Sequence, residues 1–542
     1  MIEVANLSAL RSFTGTVNQL CYVKGHTYVG DGGGGIFMWR TESVFTVGEY
    51  KNDNNGTIVD TGSAVGRWVR QFEGYVNVLY FGALGTSGDY TTEIQKAIDF
   101  AFLNSKSDVI KGSTVFIPSG SYKINTLMLK SGVSILGESN EKTILYTTDN
   151  HAADYMFKME AGPVFLDITN LNISGRQTEA GCFLFEANSI NTEPFHGGLW
   201  NSTFKNIQIT GFKGHGIYLK GGSQNQALPN QFNIFENVRV GKQGHFTNSL
   251  KMEGQNGQHT FLNCTFDGFY NKENKLYARG HNVNISPNGD ITAGIVSFIN
   301  CTFQDADYGI YMNYAENINI DGCWFENLGV AVTLNGLEKN SCRDITIQNC
   351  RFANAAGFGS LEVSLENIKI GQCVSITKSF VNVYNNYVAV SDINGPYWHP
   401  DSSFLLALDN SEGGVNIAGN VFQDSRLCKT GGVMQVLNII NPNILDCGRN
   451  KLVFVTVPSE STNNQINRIN STINASETLF IRANQGSITF NTMDSGGTTG
   501  KNIFLNGRAS LTLTNGQAAT FIKVDNSVGN ERATYQLVSI AN

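Results

Sequence analysis

Apolar residues in this chain recur in short alternating runs, not in helical stripes. Val296 and Phe298 lead into Cys301, Ile318 and Ile320 into Cys323, and Ile345 and Ile347 into Cys350. Val381 and Val383 stand in the same relation to Asn386, and Val415 and Ile417 to Asn420, while Val238, Ile207 and Leu171 fit the equivalent slot earlier on. A period of two, bounded by Asn, Gly and Asp, is the pattern of short β-strands. Several runs close on one recurring pattern: NCTFD at Asn263–Asp267, NCTFQ at Asn300–Gln304, GCWFE at Gly322–Glu326 and NCRFA at Asn349–Ala353, with a looser GNVFQ at Gly419–Gln423. Helical periodicity stands out only near residue 91.

The steps between these anchors range from 22 residues (Cys301 to Cys323) to 37 (Cys264 to Cys301). A constant strand pair separated by loops of variable length is what a parallel β-helix requires, because each rung stacks on the last and insertions are pushed out at the corners. Alternation then assigns faces. Cys264, Cys301, Cys323 and Cys350 form one inward set, and Phe266, Phe303, Phe325 and Phe352 a second. Aligned cysteines invite a metal ladder, but unpaired Cys behaves as a small buried hydrophobe, and that is the reading taken here. The Asn residues beside them read as corner formers that tolerate left-handed backbone.

Three regions follow: a neck over residues 1–80, a solenoid over 81–452, and a small β domain over 453–542 in which strands are expected at Leu479–Arg482, Ser487–Phe490 and Ser510–Leu513. The neck contains GDGGGGIFMW at Gly30–Trp39; without the GK[ST] of a phosphate loop, its glycines read as a turn. The fold class is all-β, a right-handed parallel β-helix with two small flanking β regions.

Composition narrows the function. A net charge of −7 gives no footprint for nucleic acid. No apolar run is long enough to span a bilayer, and the N-terminus lacks the pattern of a secretory signal. Ten Cys without a CxxC pair read as buried thiols of a protein folded in a reducing cytoplasm. HExxH, GxSxG and a calcium loop are all missing, so no metal or cofactor is expected.

Val76–Phe100, VNVLYFGALGTSGDYTTEIQKAIDF, resembles the opening of pectate-lyase-like β-helices, where FGA-x-G precedes T-x-x-I-Q-x-A-I. Thr92 is expected to cap a helix whose Ile94, Ala97 and Ile98 close the end of the solenoid. Ser113–Ser139 looks like the first rungs of the same family. Tyr28–Trp39, Gly66–Phe72 and Val76–Gly82 are similar to the neck of phage tailspikes. The resemblance implies a homotrimer exposed on the virion, attached to the phage tail or baseplate through its N-terminus, with a surface for capsular or O-antigen glycan and often depolymerase activity. It carries over no catalytic residue. The long virion anchor of many tailspikes is not evident before Ile2, which implies a short neck or a truncated chain.

Glycoside hydrolysis needs two carboxyl groups flanking one linkage. The outward position after each inward Phe holds, in order, Asp267, Gln304, Glu326 and Ala353, with Asp305 beside Gln304. Rungs about 4.8 Å apart put Asp267 and Glu326 roughly 9–10 Å apart at the backbone, near an inverting separation, and Asp305 and Glu326 nearer the ~5 Å of a retaining pair. Asp307, Glu316, Asp321 and Glu236 are reserves. The insertion at Gly268–Asn282 brings Tyr277, Arg279 and His281, suited to acidic sugars. Trp324 must face outward, with Tyr308 and Tyr311 nearby, and PYWHP supplies Trp398 as a further subsite. The preferred reading is an endo-acting hydrolase. The alternatives are a lyase on a uronic-acid glycan, using His281 or a tyrosine as base with Arg279 neutralising the carboxylate, and a spike that only binds its receptor. Exposed apolar positions such as Leu405 and Tyr387 give trimerisation a physical reason.

Overall fold

A computed structural model describes residues 1–46, 48, 50–105, 113–148, 151, 154–160, 163–187, 197–223, 228–242, 248–268, 270–271, 276–277, 280–335, 342–353, 372–377, 380–389, 403–408, 414–418, 420–422, 430–431, 444–448, 452–456, 465–466, 468–471, 478–485, 487–491, 503–514, 516–524 and 535–541. The chain forms two compact units: residues 1–271 with 277–302, and residues 272–276 with 303–542.

The first unit opens with a five-stranded sheet in the order Ile2–Val4, Leu20–Val23, Gly35–Arg40, Arg67–Gln71, Ile58–Val59. Its core is Leu7, Leu10, Phe37, Trp39 and Trp68. The glycine-rich segment is a structural turn. The Asp31 carboxylate accepts the backbone N–H groups of His26, Thr27, Tyr28 and Gly33 at 2.7–3.0 Å. Buried Arg70 donates to the carbonyls of Gly33, Gly34 and Gly56. Gly35 holds φ 154°, which strains other residues, and a Cβ there would meet Arg70 Nη1 at 2.5 Å.

The helix expected near residue 91 runs over Thr91–Ser105. Ile94, Ala97 and Ile98 are fully buried, and the helix packs on the first rung strands. The cap differs from expectation: the Asp89 carboxylate takes the Thr91 N–H and hydroxyl, so Thr92 already lies in the first turn. Beyond it, strands pair in parallel and in register, Asp167–Thr178 with Thr203–Phe212 and that with Ile234–Lys242. The slot predicted for Leu171, Ile207, Val238 and Cys264 is one inward column. The residue before each slot turns the corner: Asn170, Asn206, Asn237, Asn263 and Asn300 all have φ between 52° and 59°. Asparagine tolerates this left-handed conformation, and side-chain amides link the row, Asn237 to Asn206 at 2.8 Å and Asn206 to Asn170 at 3.1 Å. Inside, Phe204, Phe235, Phe261 and Phe298 stack at 4.7–5.0 Å.

The second unit repeats this plan. Glu316–Asp321 pairs in parallel with Ile345–Gln348, that strand with Phe380–Tyr384, and Phe380–Tyr384 in turn with Gly414–Ala418. Gly322, Asn349 and Asn385 hold the left-handed corners. Phe303, Phe325 and Phe352 stack at 4.9 Å. Where Cys gives way to Asn, the amide satisfies the interior: Asn386, 1% exposed, accepts from the Cys350 N–H and donates to the Ile347 carbonyl. Cys264 and Cys301 in the first unit, and Cys323 and Cys350 in the second, are buried. Toward the C-terminus, Thr478–Gln485, Ile488–Asn491 and Ser510–Leu513 fall at the expected strands and close a separate core around Ile481, Phe490 and Phe521.

Candidate functional site

Asp267 is not an open groove carboxylate. It belongs to the first unit, is 7% exposed, and lies opposite Gly241, which has no side chain to prop the rungs apart there. Arg239 closes over it, Nε and Nη2 standing 2.9 and 2.7 Å from Oδ2. The outward geometry expected of Asp267 is thereby corrected: alternation gives the side of the strand, but an arginine one rung away covers that side.

In the second unit, Asp305 occupies a left-handed corner at φ 54°, and its Oδ1 accepts the Asn327 amide at 3.2 Å. Glu326 is half-buried, and its Oε2 accepts the Trp324 indole N–H at 3.1 Å. Trp324 does face outward, 37% exposed. Tyr308 and Tyr311 meet edge to face at 5.3 Å, and burial, then the neighbouring Tyr311 and Asp307, push the Tyr308 hydroxyl up to about 12. Arg279 and Trp398 lie outside the described residues, as does the side chain of Tyr277.

His281 leads to a set of residues that sequence reasoning did not assemble. Four parallel strands of the first unit, Gly181–Glu186, Ile217–Lys220, Leu250–Glu253 and His281–Ser286, stand in one register. Phe185, Leu219, Met252 and Ile285 point inward and are fully buried. Outward, one column reads Leu184, Tyr218, Lys251, Asn284, and the next Glu186, Lys220, Glu253, Ser286.

These side chains are tightly connected. The Tyr218 hydroxyl donates to Glu253 Oε2 at 2.7 Å, and Lys251 Nζ stands 2.7 Å from the same oxygen and 4.7 Å from the Tyr218 ring centroid. Lys220 Nζ lies 2.6 Å from Glu186 Oε1. The His215 ring meets Tyr218 edge-on at 5.1 Å, and Tyr155 flanks it at 6.4 Å. Asn248 joins two imidazoles: its Oδ1 lies 3.1 Å from His281 Nδ1 and its Nδ2 3.4 Å from His215 Nδ1.

Half-burial sets the protonation states. Desolvation, reinforced by the Lys251 charge, pushes His215 down to about 4, so it is neutral at pH 7. Burial, with the hydrogen bond to Glu253, lifts Tyr218 well above the usual phenol range and keeps it protonated. Burial pulls Glu253 upward, but hydrogen bonds from Lys251 and Tyr218, with the charges of Lys251 and Lys220, outweigh it and hold the carboxyl below its usual value. His215, Tyr218 and Glu253, each displaced from its usual range, thus share one polar face with the Lys220 and Lys251 side chains, and concentrations of perturbed groups mark reaction centres. Among the described residues, no group of three or more His, Cys, Asp or Glu is placed to hold a metal. The alternation Glu186, Lys220, Glu253, in steps of 34 and 33 residues, was a readable signal. It went unused because these strands lack the Cys-x-Phe pattern that marks the other face.

Residues 3–73 match the family of phage tail protein small four-stranded β-sheet domains, and residues 75–275 match the rhamnogalacturonase A/epimerase, pectate lyase-like family. No curated protein sequence matches the chain. Among solved structures, full-length tailspike protein 2 from Escherichia coli O157:H7 bacteriophage CAB120 aligns with a TM-score of 0.51 at 15% identity, over 99% of this chain and 72% of that one. The tailspike protein gp49 of Acinetobacter baumannii bacteriophage Fri1, described as a capsular polysaccharide depolymerase, aligns at 0.49 and 16% identity, covering 99% and 92%. The enzymatically active domain of bacteriophage CBA120 tailspike protein 2 aligns at 0.49 and 16% identity over 88% of this chain, which spans 57% of that domain's chain. The fold is a right-handed parallel β-helix, shared with the tailspike protein 2 of bacteriophage CAB120.

Proposed function

We propose that this phage tail protein, a small tail-sheet domain in one chain with a pectate-lyase-like β-helix, binds a bacterial surface polysaccharide and cleaves it at the His215–Tyr218–Lys251–Glu253 face. As a tail protein it is virion-associated. The observation that carries the reading is the pairing of a neutral His215 with a protonated Tyr218 beside two lysines on one exposed face of the helix.

That set of groups suits β-elimination on a uronic-acid glycan. Lys220 and Lys251 neutralise the sugar carboxylate, which acidifies the adjacent C–H. His215 accepts that proton at Nδ1, whose partner among the described residues is the Asn248 amide at a long 3.4 Å. The Tyr218 hydroxyl, aligned by Glu253, gives its proton to the departing glycosidic oxygen. The C–O bond breaks, and a double bond forms in the ring that lost the proton. The lyase reading therefore displaces the hydrolase as the preferred chemistry, with a different base from His281 and a different cation from Arg279.

Hydrolysis keeps one supporting observation. Glu186 and Glu253 flank Lys220 on one column, two rungs and so roughly 9–10 Å apart at the backbone, close to an inverting separation. In such a pair Glu253, whose carboxyl is held below its usual value by its partners, suits the base and not the acid. Asp305 and Glu326 remain a second carboxylate set for the same chemistry. The products decide: elimination leaves an unsaturated end that absorbs in the ultraviolet, hydrolysis does not. The remaining assignments rest on kinship: a homotrimer, tail attachment through residues 1–80, cleavage by the solenoid over 81–452, and trimer locking or glycan binding by residues 453–542.

A further inference from the structure

We infer that a ladder on the second unit, Trp324–Arg351–Tyr387, is a separate glycan-binding site that takes the carboxylate of an acidic sugar. The three residues face one another in register across three parallel strands. The Arg351 guanidinium carbon lies 4.6 Å from the Trp324 ring centroid and 5.3 Å from that of Tyr387. Both rings are 37% exposed.

Stacking of this kind contributes little at an exposed site, and ordering an arginine side chain costs rotamer freedom of at least comparable size. The sandwich is therefore weakly justified as a stabilising device. As a binding device it is well made. Among the described residues, the guanidinium has no ion pair and no hydrogen bond, so none of them engages its N–H edge. Glu326, two positions from Trp324 on the same strand, is instead held by the Trp324 indole N–H at 3.1 Å, which also fixes the plane of that ring. A cation held flat between two rings presents its donors edge-on, in the fork that matches a carboxylate bidentately. The flanking aromatic surface offers the C–H faces of a sugar something to pack on. A neutral glycan would leave the fork unused, so the ligand is a polymer bearing carboxylated sugars. Through that hydrogen bond Glu326 orients the Trp324 ring at this site.

This inference rests on the reading of the chain as a glycan-binding protein, but not on where or how cleavage occurs. The test is therefore made in the full chain carrying Lys220→Met and Lys251→Met, which removes the cations of the cleavage face. Binding of polygalacturonate, and of its fully methyl-esterified form, is measured by isothermal titration calorimetry before and after Arg351→Gln. The parent should prefer the acidic polymer, and Arg351→Gln should weaken that binding tenfold or more while leaving the esterified polymer unaffected. Arg351→Lys, which keeps the charge and loses the fork, should not restore it. Equal affinity with and without Arg351, or no preference of the parent for the acidic polymer, overturns the proposal. So does a fall in molecular mass by light scattering in Arg351→Gln, which would make the ladder a contact between copies of the chain. Failure of the wild type to cut glycan would instead sink the cleavage reading and leave this one standing.

Discussion

Arg239 seals Asp267: two guanidinium nitrogens stand within 3 Å of one carboxylate oxygen, on a side chain 10% exposed. Removing the arginine strands a buried charge, which costs more than the pair contributes. Arg239→Ala should destabilise the protein by about 1–3 kcal/mol, toward the lower end because the arginine side chain is itself 59% exposed. Asp267→Asn should retain glycan cleavage. A thermal melt and a cleavage assay on the two variants check both statements, and loss of cleavage in a folded Asp267→Asn would return this carboxylate to the reaction.

Tyr218→Phe removes the proton donor but keeps the ring that Lys251 and His215 pack against. Cleavage should fall by roughly 10²–10⁴ with little change in the melting temperature. Lys251→Met should raise KM as well, because the ammonium both meets the substrate carboxylate and aligns Glu253. Steady-state kinetics on an acidic capsule separate the two patterns.

The pH profile follows from His215, pushed down to about 4. A base must be unprotonated, so kcat/KM should be low below that value and rise with pH through about 4 to a plateau. Tyr218 is displaced upward, so the plateau should persist into the alkaline range. A rate that falls as pH rises from 5 to 7 would show that His215 is not the base.

His259 supplies a separate pH effect, on stability. It is fully buried, its Nδ1 stands 3.5 Å from Asn233 Nδ2, and desolvation pushes it down to about 3. The folded state thus refuses a proton that the unfolded chain accepts below about 6.5. Its contribution is complete above that pH and is lost progressively as pH falls toward about 3. Denaturant midpoints should drop across this window, and by less in His259→Asn, whose amide can keep a bond to Asn233.

Much of the scaffold was legible because a solenoid repeats its constraints. The slots of Cys301 and Phe303, the left-handed corners at Asn263 and Asn349, and the strand at Ser510–Leu513 follow from spacing and alternation alone. Asp267 marks the limit of that reasoning: the period of two gives the side of a strand but not whether Arg239, 28 residues away, covers it. His215 shows another limit. It precedes its strand, and its neighbours Tyr218, Asn248 and Lys251 are united only by rung register, which emerges once loops of unequal length are closed.

The most direct test of the central claim is digestion of an acidic capsular polysaccharide from a susceptible host in heavy-oxygen water, with products followed by ultraviolet absorbance and mass. β-Elimination gives oligosaccharides with an unsaturated, absorbing end and no heavy oxygen at the cut, strongly reduced in Tyr218→Phe. Saturated products carrying heavy oxygen, formed as fast by Tyr218→Phe as by wild type, would contradict it.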